Sequence, residues 1–149
     1  MTHTPTLNGQ DIGQAESAVR AVLNGLLART GTQFHGWVIL NLLGRSAGAL
    51  GEDELTGQLV HGLKIGEAAV HAAAAELAWQ GLISREPQAG GGTQLVLTTA
   101  GAARSEEIQG GIGQVTARLY GGLPEEDLAT AHRVLATVTA RAGAELAAG

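Results

Sequence analysis

The sequence predicts a mainly α chain carrying one small β-hairpin. Three observations predict it. Apolar residues recur at spacings of three and four through most of the 149 residues, the mark of amphipathic helices. Two short runs, residues 82–85 and 93–98, flank a turn holding Pro87 and the consecutive glycines Gly90, Gly91 and Gly92, which is the pattern of a hairpin. Aromatic residues are few (Phe34, Trp37, Trp79 and Tyr120), so the core must consist of Leu, Val, Ile and Ala, which suits closely packed helices.

The elements follow in order. Residues 11–29 form a helix with one apolar stripe: Ile12, Ala15, Val19, Leu23, Leu26 and Leu27. Thr30, Gly31 and Thr32 end it. Residues 34–43 form a second helix that is apolar on most sides, and such a helix is central and buried. Residues 44–51 read as a loop. Glu52, Asp53 and Glu54 open a third helix that runs to Leu63, the acids favouring the positive end of its dipole. Residues 64–66 make a turn. Residues 67–80 form a fourth helix with Val70, Ala74, Leu77 and Ala78 inward and Gly81 as its stop. After the hairpin, residues 99–120 are helical with Ile108, Ile112, Val115 and Leu119 inward. Gly110, Gly111 and Gly113 weaken that helix by up to about 1 kcal/mol each relative to Ala. Residues 124–147 form the last helix, with Pro124 as its first residue, acids Glu125, Glu126 and Asp127 in its first turn, and a stripe of Leu128, Ala131, Leu135, Val138, Ala142 and Leu146. Apolar stripes at both ends of the chain, around a compact unit, suggest pairing in a dimer.

Composition removes several function classes. There is no cysteine, hence no disulfide and no thiolate metal site, which fits a reducing cytoplasm. Residues 1–10 are polar, so no signal peptide is expected, and no run approaches the roughly 18 apolar residues of a membrane span. His3, His35, His61, His71 and His132 lack ligand spacing, so no metal or other cofactor is expected. No nucleophile elbow, phosphate loop or dinucleotide fingerprint occurs, and Gly90–Gly92 has no helix directly after it to cradle a phosphate. The chain reads as a cytoplasmic binding protein, not an enzyme. Its net charge of −5 runs against nucleic-acid binding, which favours a basic surplus, so the distribution of charge matters more than its sum.

A helix–turn–helix followed by a hairpin is the winged-helix arrangement, in which the second helix of the pair enters the major groove and the hairpin, or wing, touches the neighbouring backbone or minor groove. The segments Glu54-Leu55-Thr56-Gly57-Gln58-Leu59, Leu77-Ala78-Trp79-Gln80-Gly81-Leu82-Ile83-Ser84-Arg85 and Leu95-Val96-Leu97-Thr98-Thr99-Ala100-Gly101 resemble, in order and spacing, motifs of the MarR family. Gly122-Leu123-Pro124-Glu125-Glu126-Asp127-Leu128 resembles the loop before that family's last dimerisation helix. The resemblance covers nearly the whole chain. It implies a single domain, 1–149, with a winged helix-turn-helix DNA-binding unit at about 32–101 and terminal dimerisation helices at about 11–30 and 102–147. It also implies a homodimer that binds a short pseudo-palindrome in double-stranded DNA and answers to a small-molecule effector, as a repressor or an activator.

Two departures from the family pattern stand out. The wing tip, residues 88–93, carries no charge where the family has Asp-x-Arg. Ala68, Ala69 and Ala72 occupy recognition-helix positions where the family has Ser, Thr or Arg. Between Arg45 and Arg104 there are four bases (Arg45, Lys64, Arg85, Arg104) against six acids (Glu52, Asp53, Glu54, Glu67, Glu76, Glu86). Phosphate neutralisation dominates most DNA affinity, so weak binding, unusual contacts and a lost DNA surface all remain open. The last of these would leave a small-molecule sensor or protein-interaction module on the same scaffold.

Candidate DNA contacts are Lys64, Ala68, Ala69, His71, Ala72, Arg85, Thr93 and Gln94. Lys64, the sole lysine, suits a phosphate. His71 suits a base edge or a phosphate, and plain solvent exposure is the alternative for both. Arg85, at the wing's root, either touches DNA or pairs with Glu54 or Asp53. Gln58, Thr93 and Gln94 can donate to phosphate. Phe34, His35 and Trp37 are the candidate effector contacts, an aromatic pair beside an ionisable ring. Ordinary core packing is their alternative.

Overall fold

In the computed structural model, which describes residues 3–149, α1 (Gly9–Arg29) starts from a capping box. The Asn8 side chain accepts from the Asp11 amide at 3.0 Å and the Asp11 carboxylate accepts from the Asn8 amide at 3.2 Å. This reciprocal cap begins the helix ahead of the expected position 11. Met1 and Thr2, part of the predicted span 1–149, lie outside the described residues. α2 (Phe34–Arg45) buries Gly36, Trp37, Ile39, Leu40, Leu42 and Leu43, so the helix apolar on most sides is the central one.

The segment expected as a loop before α3 contains a strand. β1 (Ala49–Gly51) leads directly into α3 (Glu52–Leu63), which is followed by α4 (Glu67–Trp79), β2 (Ile83–Pro87) and β3 (Thr93–Leu97). β1 pairs antiparallel with β3 through Ala49↔Val96, Leu50↔Leu95 and Gly51↔Gln94. β2 pairs with the other edge of β3, from Ile83↔Leu97 to Pro87↔Thr93. The hairpin is therefore two strands of a three-stranded sheet in the order β1-β3-β2. The reason is the free edge of β3, whose backbone groups need partners. Pro87 lies on an edge strand, where its missing N–H costs no ladder bond.

Leu27, Ile39, Leu40, Leu43, Leu55, Val70, Leu95 and Ile108 are the largest fully buried side chains. The inward face of α4 is Val70, Ala74 and Leu77, as its periodicity predicts, with Ala78 half-buried. Among the described residues, the buried hydroxyl of Thr56 has no hydrogen-bond partner.

α5 (Thr99–Tyr120) is tied to the end of α4 by Thr98. The Thr98 hydroxyl donates to the Gly81 carbonyl at 2.7 Å and accepts from the Gly101 amide at 3.0 Å. The Thr98 amide donates to the Leu82 carbonyl at 3.1 Å. Gly101 then passes so close to Leu82 that a Cβ there would stand 3.0 Å from the Leu82 carbonyl carbon, and nearer still to its oxygen. The Leu-Thr-x-x-Gly motif is thus a backbone-on-backbone contact with Gly81-Leu82, which only glycine permits.

The chain divides into two units, one up to Ile112 and the other Gly113–Gly149. In the second lies α6 (Glu125–Ala148), which contains no buried residue. Pro124 is its N-cap, at φ −60° and ψ 136°, rather than its first helical residue. Its carbonyl accepts from the Asp127 and Leu128 amides, the role of a cap. Among the described residues no helix is long and apolar enough to cross a membrane.

Candidate nucleic-acid interface

α3, the turn at residues 64–66 and α4 form the helix–turn–helix. The turn depends on Lys64, whose backbone is left-handed at φ 57° and ψ 40°. A non-glycine residue there carries strain, of order 1–3 kcal/mol. The sole lysine is therefore held, exposed, where glycine would sit more easily. Among the described residues no side chain caps the N-terminus of α4, so the amides of Glu67 and Ala68 are open to an outside acceptor, while that of Ala69 donates to the Gly66 carbonyl.

The outward face of α4 holds Ala68, His71, Ala72 and Ala75, all exposed, while Ala69 is half-buried at the side. Trp79 ends this face at 80% exposure. Glu67 and Glu76 are also exposed, and Gln80 Nε2 donates to Glu76 Oε1 at 3.0 Å.

The wing tip has no charged side chain. Gly90, Gly91 and Gly92 take φ values of 90°, 108° and 85°, a left-handed run that other residues resist. The Gln88 amide donates to Gly92 O and the Gly91 amide to Gln88 O, both at 3.0 Å, and these two bonds close the loop. Thr93 and Gln94 are half-buried on the middle strand, Gln94 between Gly51 and Glu86. Beside the wing, Glu52, Asp53, Glu54, Gln88 and Thr93 line a cleft of about 410 Å³. Three carboxylates there oppose a phosphate backbone.

Arg85 at the wing root makes an ion pair, Nη2 to Glu52 Oε1 at 3.2 Å. The acid is Glu52, neither Glu54 nor Asp53 as the sequence suggested. Glu52 is the first residue of α3, directly after β1, and Gly51 places it across the sheet from β2. The pair joins the wing to α3.

Phe34, His35 and Trp37 differ in burial. Trp37 belongs to the core, whereas Phe34 and His35 are half-buried. The Phe34 and His35 rings lie 5.9 Å apart, tilted by 57°. Arg20 from α1 stacks its guanidinium 4.0 Å above the Phe34 ring and pairs with Glu16. Arg104 from α5 donates to the Thr32 hydroxyl at 3.0 Å. Sequence reasoning missed both arginines. The only sequence signal for either was the Glu16–Arg20 spacing of four, which marks a helix-surface pair. Among the described residues no cluster of three His, Cys, Asp or Glu is placed to hold a metal.

No protein-family model matches the sequence, and comparison with curated proteins gives no match. Solved structures do match. The oxidised form of MarR from E. coli is 25% identical, with a TM-score of 0.71 over 91% of this chain and 96% of that one. A MarR mutant from E. coli in complex with operator DNA is 24% identical, with a TM-score of 0.74 over 87% and 91%. BpsR of Bordetella bronchiseptica, a protein whose DNA binding is regulated by 6-hydroxynicotinic acid, is 20% identical, with a TM-score of 0.71 over 93% and 98%. With six helices and a three-stranded sheet among the described residues, and this helix–turn–helix before the wing, the chain has the MarR-type winged-helix fold.

Proposed function

We propose that this protein is a homodimeric transcriptional regulator that binds a pseudo-palindromic duplex through α4 and the wing, with a small-molecule effector controlling it. The observation that carries the reading is α4 itself. It is anchored by Val70, Ala74 and Leu77 and leaves a whole face outward beside the wing, in a fold whose solved neighbours include an operator complex. Lys64 supports it, as an exposed cation on the turn that leads into α4. Lys64 neutralises a phosphate and carries no sequence information. His71, one turn into α4, meets a base edge. Residues 32–101 form the DNA-binding unit, and the helices at 11–30 and 102–147 form the dimer. Support for the dimer comes from α6, where Val134, Leu135, Val138 and Leu146 are between 40% and 69% exposed, a patch that monomers avoid. Phe34, His35 and Trp37 are the effector contacts, with Arg20, whose guanidinium lies over the Phe34 ring, beside them. The reading is of a binding protein, not an enzyme.

The acidic cleft and the uncharged wing tip favour a second reading, a small-molecule sensor or protein-interaction module without DNA binding. Anisotropy titrations with the DNA upstream of the reading frame, from 50 to 200 mM salt, separate the two. The regulator shows salt-dependent binding with a slope of about −0.9 per phosphate contact. Lys64→Ala flattens that slope by about one contact and weakens specific and scrambled duplexes alike. His71→Ala weakens the specific duplex more, by about 1–3 kcal/mol. A wild-type chain with no preference for any upstream duplex leaves the sensor as the better reading.

A further inference from the structure

The polar chemistry that usually reads bases is missing from α4. Guanine is read in the major groove by Arg or Lys, and adenine by Asn or Gln, through paired hydrogen bonds. The thirteen residues of α4 include none of these four. Apart from the indole N–H of Trp79 at its end, its polar side chains are Glu67, His71 and Glu76; the two carboxylates repel phosphate, and Glu76 already accepts from Gln80. The wing adds no arginine at its tip.

What the outward face does offer is methyl groups. Ala68, Ala72 and Ala75 are all exposed, and their spacing of four and three puts them on one side of the helix. Ala68 and Ala75 are seven residues apart, or about 10.5 Å along the axis. This is close to three base-pair steps of about 3.4 Å. Side chains that end at Cβ also let the helix backbone approach the groove floor. The one base feature that an alanine methyl recognises is the C5-methyl of thymine.

We infer that α4 reads thymine methyl groups. The recognised half-site carries thymines facing Ala68, Ala72 and Ala75, with His71 as the polar contact among them. This rests on the DNA-binding reading above and adds the class of sequence that is bound.

The test uses the full-length protein and a pool of random duplexes. Bound duplexes are enriched, and the enriched half-site is remade with deoxyuridine replacing thymidine one position at a time. Deoxyuridine pairs as thymidine does but lacks the methyl. Each contacted thymine loses about fourfold in affinity, the effect of one buried methyl, and uncontacted thymines lose nothing. Ala68→Gly, Ala72→Gly and Ala75→Gly each bring the ratio back toward one at a single position. Melting curves establish that these variants are folded, and where one is not, the wild-type scan decides. Equal affinity for the deoxyuridine duplexes overturns the inference while DNA binding stands. So does a deoxyuridine effect that is the same in all three glycine variants, since DNA shape then carries it. A pool from which nothing is enriched overturns the DNA-binding reading and this one with it.

Discussion

Gly101→Ala isolates the contact between the start of α5 and the end of α4. A Cβ at this position would stand 2.9 Å from Leu97 Cδ1 and 3.0 Å from the Leu82 carbonyl carbon, with the carbonyl oxygen closer still. Favourable carbon–carbon separations are about 3.5–4.0 Å. The first turn of α5 must therefore withdraw by roughly 0.5–1 Å from the carbon, and further from the oxygen. The Leu97 side chain can turn aside, but the Leu82 backbone is fixed by its place before β2. Withdrawal stretches the bond from the Thr98 amide to Leu82 O, now 3.1 Å, and the Thr98 hydroxyl's bond to Gly81 O, now 2.7 Å. A carbonyl left without its partner costs about 1–3 kcal/mol, and each lost bond about 1 kcal/mol. Alanine returns up to about 1 kcal/mol of helix propensity. The net loss is about 2–4 kcal/mol. At about 2–4 °C per kcal/mol for a chain of this size, the melting temperature falls by about 4–16 °C. Thermal unfolding followed by far-UV circular dichroism measures it. Gly101→Ala melting within 1 °C or so of wild type would show that α5 moves freely and would refute the account of the Leu-Thr-x-x-Gly motif.

Thr56→Val replaces a buried hydroxyl that has no partner among the described residues with a group of the same shape, and should raise stability by about 1 kcal/mol; urea unfolding reads it, and a loss of stability would mean the hydroxyl is bonded. Arg85 and Glu52 are part-exposed at 48% and 19%, so Arg85→Ala should cost no more than about 1 kcal/mol, and adding Glu52→Gln should cost little more. Were Arg85→Ala to leave melting unchanged while weakening DNA binding, Arg85 would be a DNA contact and its ion pair incidental. Leu135→Asp with Val138→Asp puts two charges on the uncovered stripe of α6 and should give monomers or insoluble chain in sedimentation, whereas a wild type that sediments as a folded monomer at micromolar concentration would sink the dimer.

The helices were legible because each is long enough to show its period. Val70, Ala74 and Leu77 recur at four and three, and they are the residues α4 buries. β1 was not legible for the opposite reason. Ala49, Leu50 and Gly51 are too few to alternate, and what makes them a strand is the edge of β3, more than forty positions on. The partner of Arg85 was misjudged by the same kind of gap. The sequence shows three adjacent acids, and only the crossing of β1 into α3 selects Glu52. Phe34, His35 and Trp37 look alike in the sequence, but their burial differs: Phe34 and Trp37, three apart, share a face of α2, and Trp37 lies within the core while Phe34, at the helix start, only packs against it. The alanines of α4 were visible as a departure from the family pattern. That they form one exposed face beside a nearly bare tryptophan became visible only on the folded helix.

The division of labour on α4 has an evolutionary consequence. The residues that hold the helix in place and those that face outward share no position, so a change at Ala68, Ala72 or Ala75 removes nothing from the core. Exposed substitutions of this kind usually shift stability by no more than about 0.5 kcal/mol. On the proposed reading of α4 as the base-reading helix, a lineage carrying it can explore new target sequences one residue at a time, every intermediate remaining folded. Duplicated copies can part company in the genes they control long before their scaffolds diverge. On the same reading the helix is a practical starting point for directed changes of specificity, because a library confined to its outward positions leaves the buried anchors Val70, Ala74 and Leu77 untouched.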